Sequence, residues 1–367
     1  MALTTAPARL VPDGHAAPLP GGGESITRAP ACLPRSASPA APTRLSIARD
    51  RVRQGIGAER LAELHRASLP LDLAAALVPP AAIAAGIWAV GLPDLHWGVR
   101  AALVMTIGWL MTILALVTHD LFVHRRCFGA RASLWAGVAS MGVTTLNAVI
   151  YRIGHELHHA HINTERDTEQ FKNALSTRFR RFAHMTLPGF KWAVSGRWDP
   201  PGSTPILDHP SPNRATARER RLAATVCLVF PAVAAVAAFF DPLRVVLGYV
   251  VPLMVVAPII NASRTVLEHA DADESNPLWL GTNYRCGWLA QFFYLQGSGD
   301  CHLVHHIFPR IPFYRCPAAA RAFAPVLAAA GVPEHRSIWT LWRGWFWKAW
   351  PHRSVWPLAD ERRPDRA

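Results

Sequence analysis

Four apolar runs limit what this chain can become. They are roughly Leu71–Val90, Trp97–Thr118, Leu222–Phe240 and Val245–Ile260. Each approaches the ~20 residues that a helix needs to cross a bilayer core. Hydrophobic residues make up 51% of the sequence, and their concentration in blocks puts the chain in the membrane class. The runs pair into two helical hairpins through short connections at Gly91–His96 and Asp241–Arg244. A fifth stretch, Leu134–Ile150, is ambiguous, because Ser140, Thr144, Thr145 and Asn147 interrupt it.

Charge agrees with this reading. The formal net charge is +13, which could suggest nucleic acid, but the positions of the cations argue otherwise. Arginines gather in Arg44–Arg66, Arg125–Arg131, Arg178–Arg181 and Arg214–Arg221, on one side of the spans. The short connections carry little charge. This is the positive-inside pattern, with both long ends in the cytosol. The expected surroundings are a lipid bilayer and no nucleic acid. Six cysteines without a CxxC pair indicate neither a disulfide framework nor a zinc ribbon.

The ends differ from the middle. Residues 1–45 are rich in Ala, Pro, Gly, Ser and Arg without helical or strand period, and read as a disordered tail. No apolar core follows Met1, so a cleaved secretion signal is not expected. The segment SIWTLWRGWFWKAW near the other end alternates tryptophan with cations and suits the membrane interface. The expected organisation is a tail over 1–45, a membrane domain over 46–330, and an interfacial tryptophan-rich helix with a polar tail over 331–367.

Histidine carries the chemistry. The chain holds HDLFVH (His119, His124), HELHH (His155, His158, His159) and HLVHH (His302, His305, His306), with His269 alone in LEHAD. Imidazole is the commonest side-chain metal ligand near neutral pH. In each HxxHH the i, i+3 and i+4 positions share one helix face. In HDLFVH the two rings stand about 140° apart on an ideal α-helix, so they converge only if the helix end loosens or the metals lie between them. One metal rarely takes more than six ligands, so nine imidazoles suggest two metals. Imidazole suits iron, copper and zinc, and zinc is content with three or four ligands. An open all-nitrogen di-iron site can reduce oxygen and take hydrogen from an unactivated C–H bond. If Leu134–Ile150 crossed the membrane, the second cluster would face the wrong compartment, so the metal reading requires that stretch to re-enter or lie in the interface. Asp120, Glu156, Glu268, Asp271 and Asp300 adjoin the clusters and are candidates to orient the rings. His161 lies off the ligand face, and His184, His209, His335 and His352 have no partner in sequence.

The three clusters and the added histidine resemble the membrane fatty acid desaturase and hydroxylase superfamily. Its HxxxxH, HxxHH, HxxHH order matches here, and HHAHINTERD and CHLVHHIFPRIPFYRCP also look familial. The resemblance covers about Leu71 to Pro317. It implies an all-α integral membrane fold of four spans under a cytosolic helical cap. That cap would hold two irons (Fe2+/Fe3+) on His119, His124, His155, His158, His159, His269, His302, His305 and His306, with O2 as co-substrate. It implies desaturation of an acyl lipid or acyl thioester, with hydroxylation as the alternative. Electrons would come from an external ferredoxin or a b-type cytochrome with its reductase. Some acyl-CoA desaturases carry Asn one turn before the added histidine; Thr265 stands there, and Asn261 is two turns before it. The rival reading is a membrane zinc protease, because HELHH contains HExxH in His155, Glu156 and His159. That reading leaves His119, His124, His302, His305 and His306 without work.

Overall fold

The computed structural model describes residues 43–162, 216–269, 271–273, 275–294, 301–340 and 343. The elements described are helical apart from one isolated parallel bridge, between Tyr284 and His335. Two short helices come first, α1 (Arg44–Ile56) and α2 (Ala58–Leu64). The first hairpin is α3 (Leu69–Val90) and α4 (Trp97–Thr118). A bent pair follows, α5 (Ala130–Val143) and α6 (Ala148–His161). The second hairpin is α7 (Ala217–Ala238) and a helical run from Pro242 that ends in α8 (Ala257–Glu268). Then come α9 (His302–Ile307) and α10 (Cys316–Ala329).

Four helical stretches are long and apolar enough to cross a membrane: Ala58–Val90, Trp97–His124, Ala217–Ala238 and Pro242–Asn261. The protein is a multi-pass membrane protein, and the four expected runs each fall inside or nearly inside one of these stretches. A 22-residue helix such as α4 is about 33 Å long, enough for the hydrocarbon core. The spans are apolar outward as well as inward. Phe239, Phe240 and Leu228 are 88%, 86% and 70% exposed, and α7 buries only Ala223, as expected of surfaces that meet lipid. Inside the bundle, Ile83, Ile107, Met111, Leu114 and Ala257 pack together. The helices approach closely where a side chain is missing: a Cβ on Gly108 would meet Val256 Cβ at 2.4 Å.

The ambiguous stretch does not cross. α5 and α6 meet at 105° across a short break. Thr145, at φ 56°, ends α5 in a Schellman arrangement, with Thr145 N–H donating to Gly142 O and Leu146 N–H to Met141 O. Asn147 then caps α6, its Oδ1 accepting from Val149 and Ile150 N–H at 3.1 Å each. The chain thus turns back, and the second histidine cluster rejoins the first.

α1, α2, α9 and α10 share a separate core over one end of the bundle, built on Val52, Leu64, Leu303, Ile307, Phe323 and Leu327. This is the expected cap, and the histidine-bearing helices α6 and α9 lie outside the spans, consistent with a cytosolic face. Two arginines that read only as topology signals stitch the cap together. Arg44 donates to the carbonyls of Asp273, Asn276 and Trp279. Arg49 Nε donates to Ile307 O, at the end of α9, at 2.7 Å.

α1 begins at Arg44, inside the stretch read as a tail. Past position 331, Val332 is buried and His335 bridges to Tyr284. The rest of the tail, residues 1–42, lies outside the described residues. So does the tryptophan-rich segment beyond Thr340, apart from Arg343.

Candidate metal centre

The loosening that HDLFVH required is present. Residues His119–His124 form a π-helical turn continuing α4, with Arg125 N–H donating to Asp120 O. A π-turn bonds i to i+5, so residues five apart come onto one face. His119 and His124 Nε2 are 3.0 Å apart. α6 and α9 deliver the other clusters on ordinary helical spacing.

The nine imidazoles form two adjacent groups. His119, His124, His155, His159 and His305 make the first, and His158, His269 and His306 the second. Within each group the ligand atoms lie within 4.8 Å of one another. His302 joins the second group, its Nε2 2.9 Å from that of His269 and 2.8 Å from that of His306. The i, i+3, i+4 spacing divides the helices between the groups. α6 turns His155 and His159 to one and His158 to the other; α9 turns His305 to the first and His302 and His306 to the second. The rings of His159 and His306 touch across the boundary, centroids 4.7 Å apart.

The contacts within the first group fit a cation better than hydrogen bonds. Its Nε2 atoms run from His124 to His119 (3.0 Å), His155 (2.7 Å), His159 (2.9 Å) and His305 (3.0 Å). A neutral imidazole nitrogen is a donor or an acceptor, with at most one proton. Five such atoms in a row supply protons for no more than three of the four contacts. At least one contact therefore has no proton between its two nitrogens. Metal–nitrogen bonds of 2.0–2.1 Å place ligands at right angles about 2.9 Å apart, which is the spacing observed. Burial supports the same fit. It holds His159, His302 and His306 well below the ordinary imidazole pKa, and neighbouring imidazoles add to the shift. The rings are kept neutral, the form that binds metal.

The acidic candidates divide. Glu268 Oε2 lies 3.6 Å from His302 Nδ1, with Arg264 on its other oxygen at 3.1 Å, so it is placed to orient that ring. Asp120 instead faces Arg125 (2.9 Å), because the π-turn rotates it away from the histidines. Glu156 meets Arg126 at 3.4 Å. Asp271 meets His335 Nε2 at 2.5 Å, so His335 has a partner 64 residues back that sequence proximity could not reveal. Asp300 lies outside the described residues, as do His184, His209, His352 and the side chain of Thr265. Asn261 Oδ1 accepts from Arg264 at 3.2 Å, and His161 sits half-buried at the end of α6. The protease reading fits poorly, since His155 and His159 share their group with three further imidazoles and Glu156 meets Arg126.

The sequence reading missed what fixes His269. Thr282 is fully buried. Its Oγ1 donates to Leu267 O (2.6 Å) and accepts from Asp271 N–H (3.0 Å), while its N–H donates to Glu268 O (2.9 Å). Gly281 lets this strap lie close, since a Cβ there would meet Glu268 O at 3.0 Å. The signal in sequence is only a Gly–Thr pair a dozen residues past the histidine.

The fatty acid desaturase family model matches residues 95–338, and the chain belongs to that family. Curated relatives are desaturases. The acyl-lipid omega-3 desaturase (cytochrome b5) of the endoplasmic reticulum of Arabidopsis thaliana is 26% identical over 48% of this chain and 51% of its own length. The chloroplastic omega-3 fatty acid desaturase of Brassica napus is 29% identical over 48% of this chain and 49% of its own. The chloroplastic sn-2 acyl-lipid omega-3 desaturase (ferredoxin) of Arabidopsis thaliana is 28% identical over 48% and 44%. The chain spans about half the length of the curated relatives it matches.

Proposed function

We propose that this member of the fatty acid desaturase family is an oxygen-dependent di-iron oxidoreductase that introduces a double bond into a fatty acyl chain. The observation that carries the reading is the meeting of nine imidazoles in two touching groups at one end of four spans. The first metal is held by His119, His124, His155, His159 and His305, and the second by His158, His269, His302 and His306. When bound, two irons supply the oxygen reduction needed to take hydrogen from an unreactive C–H bond. The chain's own residues do the rest. The π-turn and the i, i+3, i+4 helices set the spacing of the two groups. Glu268 orients His302 through its Nδ1, and Arg49 holds the end of α9. Buried Leu157 packs α6 into the core it shares with α5 and α7, and buried Val304 and Ile307 pack α9 into the cap core, which fixes both ligand helices.

Relatives named for cytochrome b5 and for ferredoxin support an external one-electron donor of one of those kinds. The substrate is an acyl lipid or an acyl thioester. In domain terms the reading is a tail over 1–45, a desaturase-like membrane domain over 46–330 and an interfacial end over 331–367.

The test is mass-resolved profiling of lipids and acyl thioesters in a host that expresses the chain with a ferredoxin system, against a His305→Ala control. A product lighter by two hydrogens, absent in the control, is expected. A product heavier by one oxygen would make the protein a hydroxylase on the same site. One zinc per chain in the purified protein, in place of two irons, would overturn the reading.

A further inference from the structure

Beside the π-turn lies a cavity of about 360 Å³ that the metal groups do not use. It opens between the start of α5, the start of α6 and the first turn of α7. Its apolar wall is Phe122, Val123 and Leu134, and its polar wall carries Arg126, Arg131 and Arg152 against the single carboxylate of Glu219. Arg126 is paired with Glu156 at 3.4 Å. Glu219 is committed to the capping box of α7, its Oε2 accepting from Thr216 N–H and Oγ1–H. Among the described residues Arg131 and Arg152 make no hydrogen bond; Arg152 lies within electrostatic reach of Glu219, and its Nε is buried without an acceptor. A buried donor without an acceptor costs about 1–3 kcal/mol, more when charged, so this wall is built for an anion.

The position identifies the anion. Arg131 and Glu219 stand in the first turns of α5 and α7, at the cap end of the bundle, where a bilayer presents its phosphates. One turn beyond Arg131, Trp135 is 48% exposed, and along α7 Leu228 and Val229 are 70% and 46% exposed. A ligand here meets guanidinium groups at one level and open apolar helix faces below. Arginine recognises phosphate through charge-assisted bonds.

We propose that this cavity binds the phosphate head group of a glycerophospholipid, whose acyl chains run down the exposed faces of α5 and α7. The site needs only a membrane and stands independently of the metal reading. It nonetheless adjoins the centre, since Val123 directly precedes His124 and Arg152 lies one turn before His155.

The test is native mass spectrometry of the full chain, stripped of lipid in detergent and titrated with dioleoylphosphatidylglycerol. Dioleoylglycerol, which lacks the phosphate, and inorganic phosphate are the comparison probes. One phosphatidylglycerol per chain is expected to survive, with no retained dioleoylglycerol. Arg131→Gln/Arg152→Gln is expected to weaken retention by about 10–100-fold, the worth of a hydrogen bond to a charged group. Arg131→Gln alone, at an exposed position, tests the site if the double variant fails to fold, and a loss of several-fold is expected. Arg321→Gln, away from the cavity, is expected to leave retention unchanged. Equal retention of dioleoylglycerol would overturn the proposal, as would full retention by Arg131→Gln. Displacement of the lipid by millimolar inorganic phosphate would show a free-phosphate site and overturn the lipid assignment.

Discussion

Arg125 is the residue whose loss is most informative. Its Nη2 meets Asp72 Oδ2 at 2.5 Å and its Nη1 meets Asp120 Oδ2 at 2.9 Å. All three side chains are buried, at 6%, 4% and 7% exposure. Its guanidinium also lies 5.9 Å from the ring of Tyr314, whose hydroxyl accepts from Ser68 N–H at 2.6 Å. One cation therefore ties the start of α3, the π-turn with His119 and His124, and the segment after the third histidine cluster. Arg125→Met keeps the bulk and strands two buried carboxylates. Removing one partner of a buried pair costs about 3–5 kcal/mol, whereas replacing the whole group by apolar residues is close to neutral. We expect Arg125→Met to lose about 3–5 kcal/mol in equilibrium unfolding in mixed micelles of increasing dodecyl sulfate. The triple variant Arg125→Met/Asp72→Leu/Asp120→Leu is expected to fall within ~1 kcal/mol of the parent. Metal content follows the same order, because displaced carboxylates distort the π-turn that places two imidazoles. A triple variant as unstable as the single one would refute the stranded-charge argument, since packing or Tyr314 would then carry the effect.

Three further outcomes follow from other parts of the molecule. His158→Ala removes one imidazole of four from the second group and leaves all five of the first, so iron analysis of purified protein should fall from two toward one per chain. Thr145 holds a left-handed conformation that costs a side-chain-bearing residue about 1–2 kcal/mol, so Thr145→Gly should raise stability by up to ~1 kcal/mol, checked by the same unfolding titration. The metal-free protein should be acid-labile. His159, His302 and His306 have folded pKa values below the ordinary 6.5, so the unfolded chain binds protons first. Stability is then full above about pH 6.5 and declines below it by up to ~1.4 kcal/mol per pH unit for each ring. A pH-independent unfolding midpoint between pH 7 and 5 would contradict this.

The spans and the spacing of the ligands were legible because both are local. Twenty apolar residues and i, i+3, i+4 repeats need no knowledge of the partner. HDLFVH was half legible: a straight helix would separate His119 from His124, which pointed to a loosened end, but not to a π-turn. The fate of Leu134–Ile150 followed from the chemistry, since the clusters had to meet, while the Thr145–Asn147 corner that achieves it carries no glycine or proline to announce it. Asp120, Glu156 and Asp271 adjoin ligands in sequence, yet their partners Arg125, Arg126 and His335 are set by the π-turn and by a contact 64 residues away, which sequence proximity does not reveal. Arg44 and Arg49 were counted with the charges that orient the chain, and their bonds to cap carbonyls appear only once α1 is packed against α9 and α10.

The division of ligands between the two groups also sets an order of assembly during synthesis. When the ribosome has passed His159, four of the five imidazoles of the first group exist, but only His158 of the second. The fifth member, His305, is made 146 residues later, roughly 7–30 s at ordinary elongation rates. The second group cannot close before His306 emerges. On the di-iron reading, a nascent chain already holds four of the five imidazoles proposed for the first metal while its second hairpin is still being inserted, and the second group completes only in a finished fold.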